Sequence, residues 1–279
     1  MSAPIIGTKL ASIDYRDTTT AARLVGDDNW IAEQKYDGTR VMVRVDADGQ
    51  HLYGWDGRPM RHAAAMQWAP SLLAKFPAAS PLPLQIDGEL LIADGRFVAF
   101  DILAVPLDGV AVHTLAWDVR RALLESACAT LGLEVSAVAY DTASKLALIE
   151  GARDGGYEGV VLKDRTAACL PGKRPASQRK LKFYREADCI VTARDTDSAC
   201  NASLAVYADG RLVPVGRCSM LGKPPVEVGD VVEIKYLYAT ASLTLYQPTL
   251  LRVRDDKTPA ECSLDQLAAT CKGVLDLAA

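Results

Sequence analysis

Glu33-Gln34-Lys35-Tyr36-Asp37-Gly38-Thr39-Arg40 is the stretch on which the reading of this chain turns. It ends one apolar run that reads as a strand, Trp30 to Lys35, and opens another, Val41-Met42-Val43-Arg44-Val45. A lysine is thereby held at a strand end, followed by a carboxylate (Asp37), a permissive glycine and the guanidinium of Arg40. That grouping suits a covalent nucleophile. A neutral amine attacks phosphorus, a carboxylate positions the amine or a metal, and Arg40 offers a planar fork to a phosphate or ribose. The octet alone fits equally well a surface hairpin whose charges sit in water, because loops rich in Lys, Asp and Gly are common.

Working outward, residues 30–103 read as strands and tight turns. Val41, Val43 and Val45 alternate with Met42 and Arg44, so one face is buried, and Asp46-Ala47-Asp48-Gly49 and Asp94-Gly95 are hairpin turns. Upstream lie a short lead-in and one helix, starting near Asp17 or Thr18 and closed by Gly26. Residues 114–131 switch to helical spacing, with Val119, Ala122, Leu123 and Ala127 on one face. A second helix runs from Thr142, read as its cap, to about Arg153, and stops at Gly155-Gly156. Strands return at Gly159–Lys163 and Arg179–Phe183.

Beyond Glu186 the texture changes to short strands at Cys189–Ala193, Leu204–Ala208, Leu212–Val215, Val231–Tyr236 and Leu250–Arg254. Strands of this length and spacing suit a small Greek-key barrel of the OB type. Ser263 and Gln266 have the spacing of a capping box opening a final helix. The expected class is α+β: a domain of antiparallel sheets and flanking helices over residues 1–187, then an OB-fold β-barrel over residues 188–279.

Composition narrows the function. The chain has 279 residues, 49% of them hydrophobic and 24% charged, enough to build a core. No apolar run approaches the length of a membrane span, and Met1-Ser2-Ala3-Pro4 lacks a signal-peptide pattern, so a cytoplasmic protein is expected. Seven cysteines include no Cys-x-x-Cys pair, which argues against a zinc site or a disulfide framework. The three histidines show no metal-ligand spacing. The net charge of −4 argues mildly against a polyanionic partner, yet distribution matters more than the sum. Lys163, Arg165, Lys173, Arg174, Arg179, Lys180, Lys182 and Arg185 crowd one segment against a single acid, Asp164. That run reads as a basic loop leading into a basic strand.

Further motifs follow the octet in order: Ile86-Asp87-Gly88-Glu89-Leu90-Leu91, the strand Phe97–Leu103, Glu158-Gly159-Val160-Val161-Leu162-Lys163, Lys180-Leu181-Lys182 and Arg254-Asp255-Asp256-Lys257. In this order and at these separations the chain resembles the ATP-dependent DNA ligases of the covalent nucleotidyltransferase superfamily, of a minimal bacterial or viral type akin to the ligases of bacterial end joining. The resemblance implies an adenylation (nucleotidyltransferase) domain for the first half. It implies that Lys35 attacks the α-phosphate of ATP, that AMP passes to the 5′-phosphate of a nick, and that the 3′-hydroxyl displaces it. The ammonium form cannot attack, so Lys35 must shed a proton; the cations Lys163, Lys180 and Lys182 favour that loss and supply charge around the α-phosphate. Asp37 belongs to the same catalytic set.

By the same resemblance, Gln34, Arg40, Glu89 and Phe100 bind the nucleotide, Glu89 at the ribose and Phe100 stacked on adenine. Glu158 is the ligand for Mg²⁺, with Mn²⁺ able to substitute. Arg254, Asp256 and Lys257 orient the leaving pyrophosphate. The implied partner is nicked double-stranded DNA, met by a monomer with no membrane association. One departure stands out: where these ligases carry Ser-Arg-x-Gly, this chain reads Gly54-Trp55-Asp56-Gly57-Arg58, leaving Arg58 and Arg61 as candidates to replace the arginine. RNA ligases and mRNA capping guanylyltransferases share the lysine motif and form the alternative. The strand Phe97–Leu103 and the stretch Leu245–Lys257 favour a DNA ligase.

Overall fold

The computed structural model describes residues 3–106, 109–195 and 200–268. They form two compact units, Met1–Leu181 and Lys182–Ala279. Residue 187, where the sequence set the boundary, lies inside the strand Arg185–Arg194. No helix among the described residues is long and apolar enough to cross a membrane.

The first unit is built on two five-stranded sheets. One runs Ala11–Ser12, Gln178–Lys182, Gly159–Asp164, Trp30–Lys35, Val138–Ala139; the other runs Gly49–Tyr53, Thr39–Asp46, Leu84–Leu90, Phe97–Ala104, Glu134–Val135. Most neighbours are antiparallel, as expected. The edge pairings Ala11–Ser12 with Gln178–Lys182 and Phe97–Ala104 with Glu134–Val135 are parallel, so both sheets are mixed. Trp30–Lys35 and Thr39–Asp46 belong to different sheets, which makes the opening octet a crossover rather than a hairpin. Gly38 permits the crossing: a Cβ there would stand 2.5 Å from the Leu90 carbonyl oxygen.

Local chemistry explains most boundaries. Asp17 caps the helix Thr18–Val25 by accepting the Thr20 N–H, and Gly26 ends it. The helix Thr142–Asp154 is capped by Asp141, not Thr142, because the Asp141 carboxylate accepts the Ser144 N–H at 2.9 Å. The helix expected from residue 114 starts at Trp117, after a short 3-10 turn at Val112–Thr114. Its buried face carries Trp117, Arg120, Arg121, Leu124 and Cys128, while Val119 is 48% exposed. The apolar spacing misled because arginines occupy the core face. Burial of Leu124 contributes about 1.5–3 kcal/mol relative to exposure. Two short helices, Ala63–Met66 and Ala69–Leu73, interrupt the region read as strands and tight turns.

In the second unit Arg185–Arg194, Asn201–Ala208, Arg211–Ser219, Thr249–Val253 and Val231–Tyr236 close into a five-stranded barrel. Asp209 and Gly210, both at positive φ, turn the hairpin between the second and third strands. Cys189, Val191, Leu204, Val206, Val232, Ile234 and Leu250 fill its interior. A capping box forms at Thr258 and Glu261. Gln266 instead accepts the Asp188 N–H at 2.8 Å and donates to the Ser263 carbonyl at 3.1 Å. The six cysteines among the described residues are free thiols; Cys271 lies outside them.

Candidate active site

The facing strands of the first unit enclose a cavity of about 290 Å³, near the lower limit of roughly 300 Å³ for ligand pockets. From one sheet come Glu33, Gln34 and Lys35, Val161 and Lys163, and Lys180; from the other come Arg40, Glu89, Phe100 and Asp101. Strand parity selects most of them. Residues 33 and 35 share a face, as do 161 and 163, and the register sets Glu33 opposite Val161, with Lys163 one step along.

Phe100 and Asp101 both line the cavity although they are neighbours in one strand. The register supplies the reason. Asp87 pairs with Asp101 and Gly88 with Ala99, so Phe100 is the extra residue of a β-bulge. The bulge turns its ring inward, where the Lys163 ammonium and the Arg40 guanidinium lie 5.2 and 5.5 Å from its centroid.

Charges inside the cavity are matched in pairs. Lys35 Nζ donates to Glu158 Oε2 at 2.6 Å. Lys163 Nζ lies 2.6 Å from Glu33 Oε2 and donates to the Phe100 carbonyl at 3.2 Å. Arg40 forks onto both oxygens of Asp87, at 3.0 and 2.6 Å, and donates to the Thr8 carbonyl. Burial works against the Arg40 charge, but the Asp87 carboxylate more than offsets it and the net direction is upward. Behind Asp101, the fully buried Arg120 reaches both carboxylate oxygens at 2.8 and 3.0 Å and the Leu115 and Ala167 carbonyls.

Two carboxyls here, Asp87 and Glu89, are pushed up by burial. Glu89 rises to about 7, against the pull of Lys35 and Arg40 and with the repulsion of Asp87 and Glu158. The sign follows directly. A carboxyl raised from 4.5 to about 7 binds its proton more tightly when folded, so the native state loses stability as pH rises through that window. Glu89→Gln should flatten the pH dependence of urea unfolding between those values. Parallel curves for variant and parent would show that Glu89 is not desolvated.

Several expected residues fall elsewhere. Asp37 is exposed and outside the cavity lining. Glu158 is buried, with its carboxylate directed at Lys35. Lys182 belongs to the second unit and donates to Gln247 Oε1 at 3.0 Å. Arg254, Asp256 and Lys257 gather in the second unit around the buried Asp188, which accepts from Arg254 at 3.0 Å and from Lys257. The Asp256 carboxylate grips Arg254 at 2.8 and 2.7 Å, so it positions that guanidinium.

The sequence reading passed over Glu33 although it heads the octet. Glu33 is 2% exposed, and its Oε1 has no hydrogen-bond partner, with Arg121 Nη1 3.9 Å away. It also passed over Asp188 and the lead-in residues Thr8, Lys9 and Leu10, which line the cavity. Only their closeness in space marks them, and no spacing in the sequence does.

The sequence model of the family described as RNA ligase matches residues 28–180, over half of the chain. The chain belongs to the RNA ligase family. The matched segment takes in every cavity-lining strand residue, from Glu33 to Lys180. Among curated relatives, it is 27% identical over 328 residues to the DNA ligase of Haloarcula marismortui, covering 94% of this chain and 58% of that protein. It is also 27% identical over 223 residues to DNA ligase C of Mycobacterium tuberculosis, covering 66% of this chain and 60% of that one. This member of the RNA ligase family thus spans about three fifths of the length of both. A solved structure from a study of Lig E DNA ligases superposes with a TM-score of 0.60 at 21% identity, covering 89% of this chain and 99% of the other. At that identity the superposition establishes a shared fold.

Proposed function

We propose that this chain is an ATP-dependent DNA ligase that seals nicks through a lysyl-AMP intermediate. The observation that carries the reading is the cavity itself: one strand-end lysine, flanked by Arg40, Lys163 and Lys180, faces an inward-turned aromatic ring and a buried carboxyl. That is the equipment for holding a nucleotide by its base, ribose and phosphates while an amine attacks. The curated relatives named DNA ligase support DNA as the substrate. In this reading residues 1–187 act as an adenylation domain, and the barrel is of the OB type.

Lys35 Nζ forms the N–P bond as the bond to pyrophosphate breaks. Glu158 Oε2, 2.6 Å away, orients the amine and is the nearest base for its proton. Phe100 stacks on the purine, Glu89 accepts from the ribose, and Lys163 and Lys180 face the α-phosphate. A ligand N–H reaching Glu33 would satisfy its unpartnered oxygen. No group of three or more His, Cys, Asp or Glu among the described residues could hold a metal alone. Mg²⁺ needs only one or two protein carboxylates beside substrate phosphates, so Glu158 fits as its anchor. When bound there, the ion would neutralise charge building on the phosphates.

Arg254 and Lys257 serve the charging step by orienting pyrophosphate, with Asp256 holding Arg254 in place. Alanine variants at these positions should lose self-adenylation yet still seal a nick that already carries 5′-AMP. Equal loss of both steps would contradict the leaving-group role.

The family description favours a second reading, RNA joining. Sealing assays on nicked DNA, nicked RNA and hybrid duplexes separate the two. Joining of DNA with loss of ATP is expected; joining confined to RNA would overturn the DNA assignment.

A further inference from the structure

Three segments of the first unit meet at the rim of the cavity. The turn after Gly49–Tyr53 is closed by hydrogen bonds from the Gly54 N–H to the Arg58 carbonyl and from the Gly57 N–H to the Gly54 carbonyl, both 2.9 Å. Gly57 sits at φ +76°, and a Cβ there would stand 2.9 Å from the Ile6 side chain, so the lead-in packs directly on the turn. The lead-in is tied in turn to the basic loop. Lys9 N–H donates to the Lys173 carbonyl at 2.8 Å, and the Thr8 hydroxyl accepts the Leu170 N–H at 2.9 Å.

This scaffold presents Trp55 to solvent, 57% exposed, with the Lys9 ammonium 5.0 Å above its ring centroid. The pairing differs from everything deeper in the cavity. Lys35, Arg40 and Lys163 each face a carboxylate, whereas Lys9 has no carboxylate partner among the described residues. A rigidly held, exposed indole beside a cation without a counter-ion matches a nucleotide, which brings a π-face and a phosphate together.

We propose that Lys9 and Trp55 form a subsite for the nucleotide bordering the break in the polynucleotide: Lys9 takes its backbone phosphate and Trp55 stacks on its base. The assignment rests on the ligase reading above. Missing one phosphodiester bond, that nucleotide can tilt toward a protein ring more freely than any in an intact duplex. The subsite therefore distinguishes a break from continuous DNA.

The test uses a nicked duplex already carrying 5′-AMP, which removes the ATP step. Trp55→Ala should raise KM for this substrate about tenfold, the loss of one base stack, while Trp55→Phe stays within about threefold of the parent. Trp55→Ala should also narrow the difference in affinity between nicked and intact duplex. Lys9→Ala should lower the slope of log affinity against log salt by about 0.9, one phosphate contact. Unchanged KM and unchanged preference for the nick in Trp55→Ala would overturn the subsite. Failure of the parent protein to seal the pre-adenylated nick would overturn the ligase reading itself, and the subsite with it.

Discussion

Lys35→Ala and Lys35→Arg should both fail to form any covalent adduct with AMP when incubated with labelled ATP. Alanine removes the nucleophile, and a guanidinium is charged under all working conditions and cannot attack. The residual rate is expected to fall below detection, because no other group replaces an N–P bond. Lys35 is placed for the role by its strand-end position and by Glu158 at 2.6 Å. Lys163, the buried lysine of the cavity, is committed to Glu33 and the Phe100 carbonyl. Mapping the acid-labile adduct in the parent protein to a different lysine would overturn the assignment.

The second large effect concerns stability. Arg120 is fully buried and spends its guanidinium on Asp101 and two carbonyls. Arg120→Ala strands the Asp101 carboxylate in the interior and should cost about 3–5 kcal/mol in urea unfolding. Replacing both partners with apolar residues, Arg120→Met with Asp101→Leu, should cost less than the single change, because no lone charge is left behind. A double variant less stable than Arg120→Ala would mean that the pair contributes more than mutual neutralisation.

The two predictions draw on different kinds of legibility. Strand Trp30–Lys35 could be read to its last residue because an apolar run and a glycine-containing crossover bound it on either side. The barrel strands were marked by turn residues in the same way. Phe100 was placed at the site by resemblance, but its inward turn depends on a bulge, and a bulge is set by pairing with Asp87 and Gly88, far away in sequence. Helix Trp117–Leu131 was found, but its buried face was misread, since Arg120 and Arg121 reach the core only because Asp101 and Ser136 wait there. Asp188 and Glu33 escaped for a related reason: a lone carboxylate in a strand carries no periodic signal, and its meaning lies in the cations that fold against it.

Residues 36–38 have a mechanical consequence. They carry the backbone from one wall of the cavity to the other in three residues, and the Leu90 carbonyl blocks any side chain at Gly38. The two walls are thus bound together like the pages of a book, with Lys35 and Arg40 at the spine. The fore-edge, where Lys9, Trp55 and Arg174 stand, is laced as well, because Lys9 bonds to the Lys173 carbonyl and Ile6 packs on Gly57. A ligand therefore meets the reactive amine and its neighbouring guanidinium at one spacing, set by the crossover rather than by the ligand.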